Sequence, residues 1–106
     1  MTTGQSRKIK YGLAELERDY GPLTFGALLR SHRQGEELSQ TAFAKHLGIS
    51  KQRLCDFEKG RRLPSLRTAY DFGKKLNLHP ESWVVVVIEE LLRKENLKMR
   101  VSLRAG

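Results

Sequence analysis

Residues 38–65 read LSQTAFAKHLGISKQRLCDFEKGRRLPS, and this stretch decides the fold. Phe43, Ala44 and Leu47 share one face of a helix over residues 40–47, which Ser39 can start. Leu54 and Phe57 do the same for a helix over residues 51–58, started by Ser50. Between them Gly48-Ile49-Ser50 leaves room only for a tight turn. Gly48 sits where that turn needs positive φ, which costs glycine almost nothing. Ala44 is small where the two helices must cross closely.

Outward from this core, Gly21-Pro22, Gly35, Gly60, Pro64, Asn77 and Pro80 punctuate the chain. Thr24 can cap a helix running to Gln34, with Phe25, Leu28 and Leu29 on one face. After Pro64-Ser65 a helix over residues 66–76 turns Leu66, Ala69, Phe72, Gly73 and Leu76 inward, and Asn77 is a left-handed cap. Pro80 opens a fifth helix that reaches Arg93 or a little beyond, with Val84, Val87, Ile88, Leu91 and Leu92 on its inner face. Its run WVVVVI is apolar all round, so Trp83 and Val86 are expected outside that face, covered on a second side. The cover is most simply a partner subunit; the N-terminal segment is the alternative. Valine also favours strands, but the continuation EELLRKENL reads as helix.

The ends alternate polar and apolar residues, at 8–11 and at 98–103, as half-buried strands do. Leu13, Leu16 and Tyr20 suggest a short helix between Gly12 and Gly21. A lone strand leaves its backbone groups unsatisfied. The edge formed by Met99, Val101 and Leu103 therefore needs a partner, either Ile9 and Tyr11 or a second copy of itself. The second copy is favoured, which makes Trp83, Val86, Met99, Val101 and Leu103 the expected dimerisation residues.

Composition bounds the function. The chain has 106 residues, 20 Lys+Arg and 12 Asp+Glu, a net charge of +8. That length fits one domain and no second core. The longest wholly apolar run, residues 83–88, is too short for a bilayer, and MTTGQSRKIKYG has no apolar signal core. The single cysteine, Cys55, excludes an internal disulfide framework. These features fit a cytoplasmic protein away from membranes. Residues 23–79 hold +6 of the +8, which points to an anionic partner, nucleic acid first. There is no Ser/His/Asp or Cys/His set, no Gly-rich phosphate loop and no paired carboxylates. His32, His46 and His79 lack metal-ligand spacing. No enzyme, cofactor or metal is expected.

Two short helices about a tight turn form a helix-turn-helix pattern, in which the second helix enters the major groove. With Leu54 and Phe57 inward, Gln52 and Asp56 lie nearly opposite, with Cys55 and Lys59 close by. Lys51 and Arg53 flank that face. Gln reads adenine, Lys and Arg read guanine, and Asp accepts from cytosine but repels phosphate. Lys51, Gln52, Arg53 and Asp56 are thus the candidate base contacts. Ser50, Lys59, Arg61 and Arg62 suit phosphates.

Residues 38–65 resemble the lambda-repressor-like, Xre/Cro-type helix-turn-helix domain. The resemblance covers residues 23–78; seven constrained positions agree, and Glu58, Gly60 and Pro64 complete its E-x-G-x-x-x-P ending. It implies four or five helices and dimers on operator DNA. It implies that Gln40 donates to a phosphate and that Lys51, Gln52 and Asp56 stand at base-reading positions. It also implies that Arg33 and Glu58 form a buried salt bridge.

The expected protein is all-α. An N-terminal extension (1–22) precedes a five-helix lambda-repressor-like region, its helix-turn-helix DNA-binding domain at 23–79 and its dimerisation helix, with a C-terminal strand, at 80–106. The expected function is a repressor that binds double-stranded DNA, at a palindromic operator, as a homodimer. The alternative is a type II antitoxin that neutralises a toxin protein through its extensions and represses its own operon. Such antitoxins have short extensions like residues 1–22, although a net charge of +1 there offers little to a basic toxin. A phage repressor or restriction–modification controller would share the DNA chemistry. RNA binding lacks an aromatic stacking platform.

Overall fold

The computed structural model describes residues 22–104. They form five helices: α1 (Phe25–Gly35), α2 (Gln40–Leu47), α3 (Lys51–Glu58), α4 (Leu66–Lys75) and α5 (Pro80–Lys94). No strand occurs among the described residues, and none of their helices is long and apolar enough to cross a membrane. The alternation at residues 8–11 and the helix expected between Gly12 and Gly21 lie outside the described residues.

Local chemistry sets the helix starts. Thr24, Ser39, Ser50 and Ser65 each accept a hydrogen bond from the backbone N–H three residues on, at 3.0–3.1 Å. Each thereby satisfies a donor that the first turn leaves free. Pro80 starts α5 without a side-chain cap, at a position where its missing N–H costs nothing. Gly48 ends α2 at φ 78°, and the N–H of Ile49 returns to the carbonyl of Ala44 (3.0 Å). Asn77 takes the left-handed conformation after α4, at φ 56°.

Phe25 is the centre of the core. Its ring lies 6.0 Å from Phe57 of α3, 6.2 Å from Phe72 of α4 and 5.7 Å from Trp83 of α5. Such aromatic pairs contribute about 0.5–1.5 kcal/mol each beyond the area they bury. Leu29, Phe43, Leu47, Leu54, Ala69 and Val87 complete the cluster. α1 meets the end of α3 so closely that a Cβ on Gly26 would stand 2.3 Å from the Phe57 carbonyl oxygen.

Three expectations need correction. First, α5 is rotated from the expected register. Trp83 and Val86 are only 3% and 5% exposed and pack inward with Val87. Val84, Ile88 and Leu91 face outward instead, half-buried or exposed. The side that holds Trp83 and Val86 is thus covered within the chain, where the Trp83 ring meets Phe25 and His32 of α1 edge to face. Second, residues 98–103 form no strand. The N–H of Met99 turns back to the Leu97 carbonyl (3.0 Å), and the N–H of Val101 is taken by Glu89 Oε2 (2.8 Å). A tight backbone turn and one side-chain acceptor thus serve two of the N–H groups that a ladder would have paired. Val101 is half-buried, while Met99 and Leu103 stay exposed. Third, Leu66 is exposed at the head of α4, and the buried face begins at Ala69.

Candidate nucleic-acid interface

The site begins with the turn. Leu54 and Phe57 anchor the inner side of α3 in the core, so its outer side is fixed in direction. Lys51, Gln52 and Arg53 stand exposed on its first turn, with Asp56 partly covered one turn later. Arg53 lies over the Phe57 ring, 5.6 Å from its centroid, which limits how far the guanidinium can swing. Lys59, Arg61 and Arg62 follow, all exposed, where the chain leaves α3. Cys55 is free and half-buried.

Hydrogen bonds tie several of these side chains together. Gln52 Nε2 donates to Asp56 Oδ1 (3.0 Å), and Arg61 Nη1 donates to the same oxygen (3.3 Å). Ser50 Oγ accepts from the Arg53 N–H, which leaves its own hydroxyl hydrogen to donate.

Behind α3 a second network sets its angle. Arg33 Nε meets Glu58 Oε2 at 2.7 Å, and Nη2 meets Oε1 at 3.1 Å, a two-pronged pair. The side chains are 14% and 3% exposed. Arg33 Nη1 also donates to the Leu38 carbonyl (3.0 Å), and Gln40 Nε2 donates to Glu58 Oε1 (3.1 Å). One carboxylate thus joins α1, the head of α2 and the tail of α3. Gln40 keeps its second amide hydrogen for another acceptor.

Three supports carry no signal in residue spacing. Glu90 of α5 is buried, and its Oε1 accepts from the Phe25 N–H (2.8 Å), capping α1 across 65 residues of chain. Arg93 Nη2 donates to the Leu23 carbonyl (2.7 Å) just before α1. Lys75 Nζ donates to the Leu47 carbonyl (2.7 Å), placing a cation at the negative end of α2. Each is a charge on a helix that also carries exposed charges, so only tertiary structure singles it out. The expected dimerisation residues do not form one patch. Trp83 and Val86 are interior, while Met99, Val101 and Leu103 lie in the tail after α5.

Two short helices joined by a three-residue turn, the second held by its inner face and presenting polar side chains outward, define a helix-turn-helix protein. The chain belongs to the helix-turn-helix domain family, which matches residues 24–82. It is similar to the ImmF control region 10 kDa protein of Bacillus phage phi105, 43% identical over 53 residues, 50% of this chain and 59% of that protein. It is also similar to the uncharacterized HTH-type transcriptional regulator YazB of Bacillus subtilis (strain 168), 39% identical over 54 residues, 51% of this chain and 78% of that protein. No solved structure matches the chain.

Proposed function

We propose that the protein is a sequence-specific DNA-binding transcriptional regulator whose α3 enters the major groove. The observation that carries this reading is the outer side of α3. Lys51, Gln52 and Arg53 stand there as exposed donors on a helix fixed by Leu54, Phe57 and Glu58. Lys59, Arg61 and Arg62 follow as a basic exit from the groove, suited to phosphates. Gln40 and Ser50 add neutral donors at the heads of α2 and α3, where helix dipoles favour anions. The names of the phage and Bacillus relatives agree with control of transcription.

The finer reading is a repressor that acts as a dimer on a palindromic operator, with recognition helices about 34 Å apart. Its support is the apolar outer side of α5, where Val84 and Ile88 are half-buried and Leu91 is exposed. Trp83 and Val86, buried in the core, take no part in this contact.

Fluorescence anisotropy tests the reading, with a duplex recovered from a randomised library set against a scrambled duplex of equal length. Arg61→Ala and Arg62→Ala should each weaken both duplexes alike and reduce the salt slope by about one. Unchanged affinity and slope in both variants would remove these residues from the interface. Equal affinity of the unaltered protein for both duplexes would contradict sequence-specific regulation.

A further inference from the structure

On the reading above, Asp56 has two open roles: it reads a base itself, or it sets the side chains beside it. The geometry favours the second. Its Oδ1 already receives Gln52 Nε2 at 3.0 Å and Arg61 Nη1 at 3.3 Å, and its side chain is only 23% exposed. Gln52, one turn earlier, is exposed. A carboxylate can only accept, so Gln52 must turn its nitrogen, not its oxygen, toward Asp56.

We propose that Asp56 is the positioning residue that makes Gln52 an adenine reader, an inference that rests on α3 lying in the major groove. A primary amide has two N–H groups. The adenine contact uses the amide oxygen, which accepts from N6, and one N–H, which donates to N7. The other N–H is spare, and Asp56 holds it. Guanine presents two acceptors, N7 and O6. To satisfy both, Gln52 would have to turn both N–H groups to the base and withdraw from Asp56. That leaves the carboxylate short of a donor beneath a duplex that has displaced water, where an unmade hydrogen bond costs most. In water the same contact between residues four apart is modest; covered by DNA, it discriminates. Arg61 acts on the same oxygen in another way: its charge offsets the repulsion between Asp56 and nearby phosphates.

Two measurements test this on the full chain. In the first, the unaltered protein, Gln52→Ala, Asp56→Ala and Asp56→Asn each select from a library of randomised duplexes. The unaltered protein should prefer adenine over guanine at one base pair on the order of tenfold, and Gln52→Ala should lose that preference. Asp56→Ala should lose it at the same base pair, while Asp56→Asn, whose amide oxygen still accepts from Gln52, should keep it. Retention of the preference in Asp56→Ala, or a loss at a different base pair from Gln52→Ala, would overturn the proposal. The second is NMR of the side-chain amides in the DNA-free protein. The Gln52 amide resonances should move in Asp56→Ala while backbone resonances of the core stay in place. Unmoved Gln52 resonances would overturn the positioning role whatever the DNA result. An unaltered protein that prefers no base anywhere would overturn the DNA reading and the adenine assignment together, and the NMR result would then show whether the hydrogen bond itself stands.

Discussion

Glu58 sits where three helices converge, and its removal should be felt throughout the domain. Glu58→Ala strands the Arg33 guanidinium, which is 14% exposed. Breaking a buried pair in this way costs about 3–5 kcal/mol. Thermal unfolding should show a large fall in Tm, against a shift within about 0.5 kcal/mol for the exposed Lys45→Ala. Equal shifts would mean that the pair contributes nothing. Gly26→Ala should also destabilise, because its methyl would stand 2.3 Å from the Phe57 carbonyl oxygen and 2.9 Å from that of Glu58. Overpacking of this kind costs about 1–3 kcal/mol, readable from urea midpoints. A midpoint at or above that of the unaltered protein would show that α1 and α3 can part without cost. These two residues differ in legibility. The pairing of Arg33 with Glu58 follows from family resemblance, since spacing alone leaves them as two charges among many. Gly26 carries no signal in the sequence, because the need for it comes from the backbone of α3, not from its own helix.

At the scale of elements, the starts and inner faces of α1, α2 and α3 are legible because each rests on local chemistry. A hydroxyl stands before each first turn, and apolar residues recur at helical spacing. The register of α5 is not legible. The run WVVVVI has no polar residue to mark an outer face, so periodicity alone cannot separate Trp83 and Val86 from Val84 and Ile88. Tertiary partners decide: Phe25 takes Trp83, and the head of α1 takes the Glu90 carboxylate. Glu90→Ala should therefore loosen an element far away in the chain. The expected cost is about 0.5–2 kcal/mol, as for the loss of a helix cap, with faster hydrogen exchange in the first turn of α1 than in α3. Exchange that rises equally in both helices would point to global loosening and against a local cap. The tail at 98–103 departs from its pattern for a related reason. Its alternation is real, but a strand needs a ladder, and Glu89 supplies one acceptor only.

Across the whole molecule, the concentration of positive charge in residues 23–79 points to nucleic acid on composition alone. The proposed two-fold partner does not follow from Trp83 and Val86, which are interior. It rests on Val84, Ile88 and Leu91. Leu91→Glu should leave the fold intact and shift sedimentation from dimer to monomer at low micromolar concentration. A variant that sediments as the unaltered protein does would take α5 out of the contact. Base reading by α3 comes down to one ratio: the affinity for the library-derived duplex over that for its scrambled counterpart, measured at one fixed salt concentration with and without Gln52→Ala. If α3 reads bases, the ratio is about a thousand or more and falls on the order of tenfold in the variant, with scrambled-duplex affinity unchanged. A ratio near one, or a variant that weakens both duplexes equally, would contradict it.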